Sequence, residues 1–219
     1  MNDAQIIEKT IEHVREALGD GEGGHDWFHI QRVFRNTLLI AREEEVDIMV
    51  VSLAALLHDI ADAKFHHGDE KVGPRKADSF MRSLKIPART RKHVVKIIEN
   101  ISYKNSLEPK KRPFRSRELE VVQDADRLDA MGAIGIARAF SYGGYANRKL
   151  YDPDIPPNPK MSKAEYKKSK GPTINHFYEK LLLLKDKMHT DAGRKLAEDR
   201  HQYMLDFLEE FYREWNGSA

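Results

Sequence analysis

Histidine and aspartate residues cluster at three places in the first 130 residues of the chain, the third of which contains aspartate alone. The clusters read HDWFH at residues 25–29, LLHDIAD at residues 56–62 and VVQDADRLDA at residues 121–130. The 219-residue chain contains ten histidines and no cysteine. The lack of cysteine excludes disulfides, thiolate zinc sites, iron–sulfur clusters and a cysteine nucleophile. A metal bound by this chain therefore has imidazole nitrogen and carboxylate oxygen as its ligands.

The adjacent residues His58 and Asp59 are the most informative of these clusters. They follow an apolar run, residues 48–57, which predicts a helix that is buried on most sides. A carboxylate at such a place is costly unless it pairs with a cation or binds one. Imidazole and carboxylate together suit divalent ions such as Mn, Fe, Co, Ni or Zn. Asp62 lies four residues after His58, hence one helical turn on and on the same side, and is placed to hold or deprotonate a metal-bound water without being a ligand itself.

His29 and Asp126 extend the set of candidate ligands. His29 lies at the border of the apolar stripe of a predicted helix, and Asp126 lies between apolar positions of a later one. Four nitrogen and oxygen ligands from three helices leave coordination positions open, which is typical of catalytic metal sites. The alternatives to metal binding are structural roles. A single histidine at a helix border usually packs or caps, and Asp124, Asp126 and Asp129 could form a charged face.

The rest of the chain predicts helices to carry these residues. Apolar residues recur at helical spacing, and the alternation typical of strands is absent, which predicts an all-α fold. One long helix is expected over residues 118–140, and two more over residues 174–188 and 190–215. Residues 141–173 are rich in proline, glycine and lysine, and they predict a long surface loop inserted into a single domain. We expect this basic loop to act as a flap that attracts a polyanionic substrate.

The composition limits the class of protein. The chain has 37 basic and 35 acidic residues. This balance argues against a dedicated nucleic-acid-binding protein, and so against nucleic acid as a partner. The first residues lack the apolar core of a signal peptide, and the longest apolar run is about half the ~20 residues that span a bilayer. We therefore expect a cytoplasmic protein without a membrane contact.

The order of the candidate ligands resembles the H…HD…D signature of the HD superfamily of metal-dependent phosphohydrolases. His29, the pair His58 and Asp59, and Asp126 occupy its positions. The resemblance extends along nearly the whole chain and is closest to the small, single-domain bacterial YpgQ-like group. Its segments occur here in the same order: HDWFHIQRV, LLHDIADAKFHHGDE, DADRLDAMGAIGIARAF, and HFYEKLLLL followed by the long final helix. The resemblance implies an all-α HD-domain bundle, a bound divalent metal and hydrolysis of a phosphoester or phosphoanhydride.

The resemblance also implies a substrate and a cofactor. Some members of the small group convert a (deoxy)nucleoside triphosphate to the monophosphate and pyrophosphate, and we expect this reaction here. We expect Mn as the metal, with Mg, Ni, Co, Fe or Zn as alternatives. Two-metal members carry further histidines, often as an adjacent pair, on the helices that follow. The comparable helix here ends in IIENISYK, which favours one metal.

Six further residues are candidates for roles around the metal. Asp62 and Glu70 are expected to activate water or transfer a proton. The remaining four are candidate substrate contacts, for phosphate or for a nucleotide base: Lys64, His66, Tyr178 and Lys180.

Other readings keep the same residues and change the function. A 5′-nucleotidase, a cyclic-nucleotide hydrolase or a guanosine tetraphosphate hydrolase would use the same site. A helical protein that binds nucleotide or nucleic acid without catalysis is an alternative from another class. The sequence is compatible with either a monomer or a homodimer.

Overall fold

The computed structural model describes residues 1–19, 26–61, 69, 71–101, 114–161, 165 and 169–218. Within these ranges the chain forms nine α-helices and one 3₁₀ helix and contains no strand, which confirms the predicted all-α fold. None of the described helices is both long enough and apolar enough to cross a membrane. The chain forms two compact units, residues 1–126 and residues 127–219. That these make up one domain stays a prediction.

The first unit is built around the apolar helix that the sequence predicts at residues 48–57. The helices are α1 Asp3–Leu18, α2 Trp27–Ile40, α3 Ile48–Leu57, α4 Val72–Ser83, α5 Ala88–Asn100 and α6 Arg117–Asp129, whose last turn enters the second unit. Helix α3 packs against α1, α2 and α5. Its last eight residues are all buried, so its C-terminal end lies at a fixed position in the core.

Aspartate caps fix where α2 and α3 begin. The Asp47 side chain accepts hydrogen bonds from the backbone N–H groups of Met49 and Val50, at 2.9 and 3.1 Å. The Asp26 side chain accepts one from the backbone N–H of His29, at 2.8 Å. Such caps satisfy N–H groups that have no partner inside the helix. They therefore define the first turn of each helix.

The second unit departs from the predicted helix boundaries. It contains α7 Gly132–Tyr145, α8 Asn175–Glu179, the 3₁₀ helix Leu181–Lys187 and α9 Asp191–Trp215. The predicted helix over residues 118–140 is wrong, because Gly132 adopts a left-handed φ of 66° and separates α6 from α7. The predicted helix over residues 174–188 is also wrong, because a 3₁₀ helix follows the five-residue α8. Helix α7 runs to Tyr145, so the predicted loop begins later than residue 141.

Two glycines of α7 give a matched test of packing in the second unit. A methyl group on Gly135 would lie 2.3 Å from the Ala130 carbonyl oxygen, whereas one on Gly144 would meet nothing within 4 Å. We expect Gly135→Ala to lower the free energy of unfolding by about 1–3 kcal/mol. Gly144→Ala should leave it unchanged or raise it by up to about 1 kcal/mol. Urea unfolding followed by circular dichroism measures both, and equal stabilities would contradict the packing described here.

Candidate metal centre

His58 is held by the end of the helix that precedes it. Its Nδ1 atom lies 2.8 Å from the carbonyl oxygen of Ala55, one of the last carbonyls of α3, which have no partner within the helix. A carbonyl only accepts hydrogen bonds, so Nδ1 carries the proton and the lone pair is on Nε2. Nε2 is buried and has no hydrogen-bond partner among the described residues. The ring therefore presents a free ligand atom in a fixed direction.

Three of the four ligands expected from the sequence, His29, His58 and Asp126, form one cluster in the first unit, with ligand atoms within 4.8 Å of one another, and Asp59 lies beside both histidines. His29 Nε2 lies 3.8 Å from Asp59 Oδ2 and 3.6 Å from Asp126 Oδ1. His58 Nε2 lies 3.7 Å from Asp59 Oδ2. Helix α2 supplies the first histidine, the end of α3 supplies the second with its neighbouring aspartate, and α6 supplies Asp126. Residues far apart in the sequence thus converge on one point.

These distances fit a shared divalent ion. Ligand atoms that are each about 2.1 Å from one ion lie at most about 4.2 Å apart, and the three distances given above are shorter than this limit. The group in which every pair of ligand atoms lies within 4.8 Å is His29, His58 and Asp126. Both imidazole side chains are 3% exposed, whereas the carboxylates of Asp59 and Asp126 are 29% and 39% exposed. The cluster is therefore closed on its imidazole side and open to solvent on its carboxylate side.

A buried amide ties two of the ligand-bearing helices together. The Asn36 Nδ2 group donates a hydrogen bond of 3.3 Å to the carbonyl oxygen of Ala125, the residue before Asp126. Asn36 lies two helical turns after His29 on the buried side of α2. The bond thus fixes the helix of His29 against the helix of Asp126. Sequence reasoning missed this residue, although a buried-side asparagine seven residues after a candidate ligand is a recognisable signal.

Comparison with known proteins agrees with this geometry. The HD domain family model matches residues 27–131, a range that contains all four candidate ligands. The chain is 34% identical over 217 residues to the Bacillus subtilis (strain 168) protein YpgQ and covers 97% of that protein. The chain belongs to the HD-domain family. HD domains bind divalent metals, and the cluster of His29, His58 and Asp126 is a possible site for one in this HD domain.

Solved structures of HD proteins resemble the chain over nearly its full length. An HD-superfamily hydrolase from Bacillus thuringiensis is 42% identical, with a TM-score of 0.79 and coverage of 98% of this chain and 99% of that one. The crystal structure of B. subtilis YpgQ in complex with ADP is 33% identical, with a TM-score of 0.76 and coverage of 98% and 97%.

Two further aspartates of α6, Asp124 and Asp129, are buried, unlike Asp126. Asp124 and Asp129 are 0% and 1% exposed, so the alternative of a solvated charged face is wrong for both. Asp129 forms a 2.5 Å ion pair with Arg138. Only Asp126 of these three HD-domain residues lies partly open to solvent at the ligand cluster.

The predicted residues that follow the metal pair are only partly within the described chain. Asp62, Lys64, His66 and Glu70 lie outside the described residues, and their roles stay predictions. Helix α3 ends at Leu57, so the helical spacing used to place Asp62 beside His58 does not apply. Asp69 accepts hydrogen bonds from the Lys71 N–H and from Arg75, and these bonds lower the pKa of its carboxyl. The Asp69 carboxylate is therefore engaged by hydrogen bonds to residues close to it in the sequence.

Tyr178 and Lys180 belong to the second unit. Tyr178 lies in α8 and forms a side-chain hydrogen bond with Tyr212, which together with burial raises the pKa of Tyr212. Lys180 follows the end of α8. Burial and the nearby charges of Lys180 and Arg148 lower the pKa of His176 to about 3, so this imidazole is neutral at ordinary pH. Contact of Tyr178 and Lys180 with a substrate stays a prediction.

The amide tie between α2 and α6 predicts an effect on metal affinity. Asn36→Leu keeps the side-chain size but removes the donor to Ala125, and we expect Mn²⁺ affinity to fall about 10- to 100-fold. Thr37→Val is the matched control, because Thr37 is also fully buried on α2 and its hydroxyl has no hydrogen-bond partner in the described chain. Calorimetric titration with Mn²⁺ measures both. Equal affinities in the two variants would show that Asn36 does not position the ligands.

The largely buried His176 predicts acid sensitivity. In the unfolded chain its pKa is near 6.5 and in the folded chain about 3, so below pH 6.5 the unfolded state binds one more proton. The free energy of unfolding then falls as the pH falls through this window, by up to about 1.4 kcal/mol per pH unit. Between pH 7.5 and 5, His176→Gln should lose about 2 kcal/mol less than the unmodified chain in urea unfolding. An unchanged pH dependence would contradict the burial of a neutral imidazole.

Proposed function

We propose that this HD-domain chain is a metal-dependent phosphohydrolase that acts on nucleotides. The favoured reaction converts a (deoxy)nucleoside triphosphate to the monophosphate and pyrophosphate. The observation that supports it is the cluster of the two buried imidazoles with the partly exposed carboxylate of Asp126, beside which Asp59 lies within 3.8 Å of both imidazole nitrogens. Such a cluster is suited to a divalent ion with open coordination positions, as hydrolysis of a phosphate bond requires.

We assign His29, His58, Asp59 and Asp126 to one divalent ion. Mn is the favoured ion, and Mg, Ni, Co, Fe or Zn are the alternatives, because this set of two nitrogen and two oxygen donors suits several of them. When bound, such an ion lowers the pKa of water to about 7 and offsets negative charge on phosphoryl oxygens. Two carboxylates balance the charge of a divalent ion, so the cluster presents little net charge to an anionic substrate.

The chain's own side chains then orient the reactants. The buried imidazoles close one side of the cluster, so water and phosphate approach from the side of the partly exposed carboxylates. Asp62 and Glu70 are proposed to orient the attacking water and accept its proton. Lys64 and His66 are proposed to pair with phosphate oxygens, where fixed positive charge favours the transition state of phosphoryl transfer.

A nucleotide is the favoured substrate class because the related YpgQ binds ADP in a crystal structure. The alternatives keep the site and change the bond that is cleaved. Hydrolysis of a nucleoside triphosphate to pyrophosphate, of a monophosphate to orthophosphate, and of a cyclic ester to a linear monophosphate give distinct products. Product analysis over a panel of nucleotides therefore distinguishes these activities.

The metal assignment predicts the behaviour of an Asp59 variant. Asp59→Ala removes the carboxylate that lies within 3.8 Å of both histidine nitrogens, and we expect loss of bound Mn²⁺ and at least a hundredfold fall in nucleotide hydrolysis, on the order of losses for metal-site substitutions. Metal analysis and a coupled pyrophosphate assay measure the two effects. Asp3→Asn, an exposed change in the first turn of α1, should keep both at the level of the unmodified chain. Full activity of Asp59→Ala would overturn the assignment.

A further inference from the structure

A groove between α1 and α2 lies apart from the ligand cluster. Its volume is about 460 Å³, which is within the usual range of small-molecule sites. Four apolar side chains line it: Ile11, Trp27, Phe28 and Phe34. Three of the four are aromatic, and Phe28 is 62% exposed, so flat ring surface is open to a ligand.

The groove and the ligand cluster use different faces of α2. Trp27, Gln31 and Phe34 recur at helical spacing and line the groove. His29, Val33 and Asn36 recur on the other, buried side of the same helix. Because successive residues of a helix are turned by about 100°, positions 27 and 29 point about 160° apart. A molecule in the groove would therefore not contact the candidate metal ligands of α2.

Two arginines border the groove without an acidic partner. Arg15 and Arg35 both line it, and the Arg15 guanidinium lies 5.6 Å from the centre of the Trp27 ring. Within the described chain neither forms an ion pair, whereas others of the first unit do, namely Arg75, Arg82, Arg91 and Arg117. The groove's polar wall is completed by the amide of Gln31, and none of its lining residues is acidic.

Aromatic surface beside unpaired guanidinium groups is suited to a planar ring that carries negative charge. We propose that this groove is a second nucleotide-binding site, in which the base stacks on the aromatic side chains and Arg15 and Arg35 pair with the phosphates. Among the described residues its lining includes no imidazole and no carboxylate, so we expect it to bind nucleotide without a metal and without hydrolysing it. The proposal goes beyond the proposed function and does not depend on it.

The tryptophans allow a direct test. The chain has two, Trp27 in the groove and Trp215 at the end of α9, so Trp215→Phe leaves Trp27 as the single reporter. This variant is titrated with ADP in excess EDTA, which removes metal and prevents hydrolysis. We expect saturable quenching of Trp27 emission. Adenosine, which lacks the charge, and pyrophosphate, which lacks the ring, should each bind at least about tenfold more weakly. If ADP up to about 10 mM causes no saturable change in Trp27 emission, the proposal is overturned.

A pair of arginine variants distinguishes this site from general attraction of anions. In the Trp215→Phe background, Arg35→Gln should weaken ADP binding about tenfold or more, since it removes a charge-assisted hydrogen bond. Arg89→Gln removes the same charge from an exposed position outside the groove and should not change binding. Equal weakening by both variants would contradict the proposal. Asp59→Asn should leave the quenching of Trp27 emission by ADP unchanged. Loss of this quenching in the Asp59→Asn variant would assign the signal to the metal cluster and overturn the second site.

Discussion

The hydrogen bond between His58 and the carbonyl of Ala55 determines how the candidate metal centre is built. It satisfies a carbonyl that the end of α3 would otherwise leave without a partner, and it fixes both the orientation and the tautomer of the imidazole. Because α3 is buried along most of its length, this ring is anchored in the core of the first unit. The other ligand atoms complete a metal site only if they lie at suitable distances from this fixed nitrogen.

A helix cap and a long-range hydrogen bond position the other ligand-bearing helices. The Asp26 cap defines the first turn of α2, which carries His29, and Asn36 joins α2 to the turn of α6 that precedes Asp126. A buried ring nitrogen without a hydrogen bond costs about 1–3 kcal/mol in an apolar core. His58 Nε2 carries this cost in the described chain, and a bound cation would offset it. The cluster is thus better suited to binding an ion than to stabilising the fold by itself.

Sequence reasoning recovered the residues whose chemistry is local and missed those whose role is set by distant contacts. The apolar run at 48–57 predicts a buried helix, and the structure brings the residues after it together with His29 and Asp126. The spacing of Asn36 from His29 indicates that it is buried, but not that its partner is a carbonyl 89 residues away. The break at Gly132 depends on a left-handed backbone conformation, and the pattern of apolar residues continues across it. Helical spacing likewise does not distinguish an α-helix from the 3₁₀ helix Leu181–Lys187.

The two tryptophans are divided between the two compact units, with Trp27 in the first and Trp215 in the second. Each unit therefore has its own intrinsic probe of unfolding. Two variants that each keep one tryptophan report separately on residues 1–126 and 127–219 in parallel denaturation experiments. Coincident transitions would mean that the chain unfolds as one cooperative domain, and separate transitions would mean that each unit has its own stability.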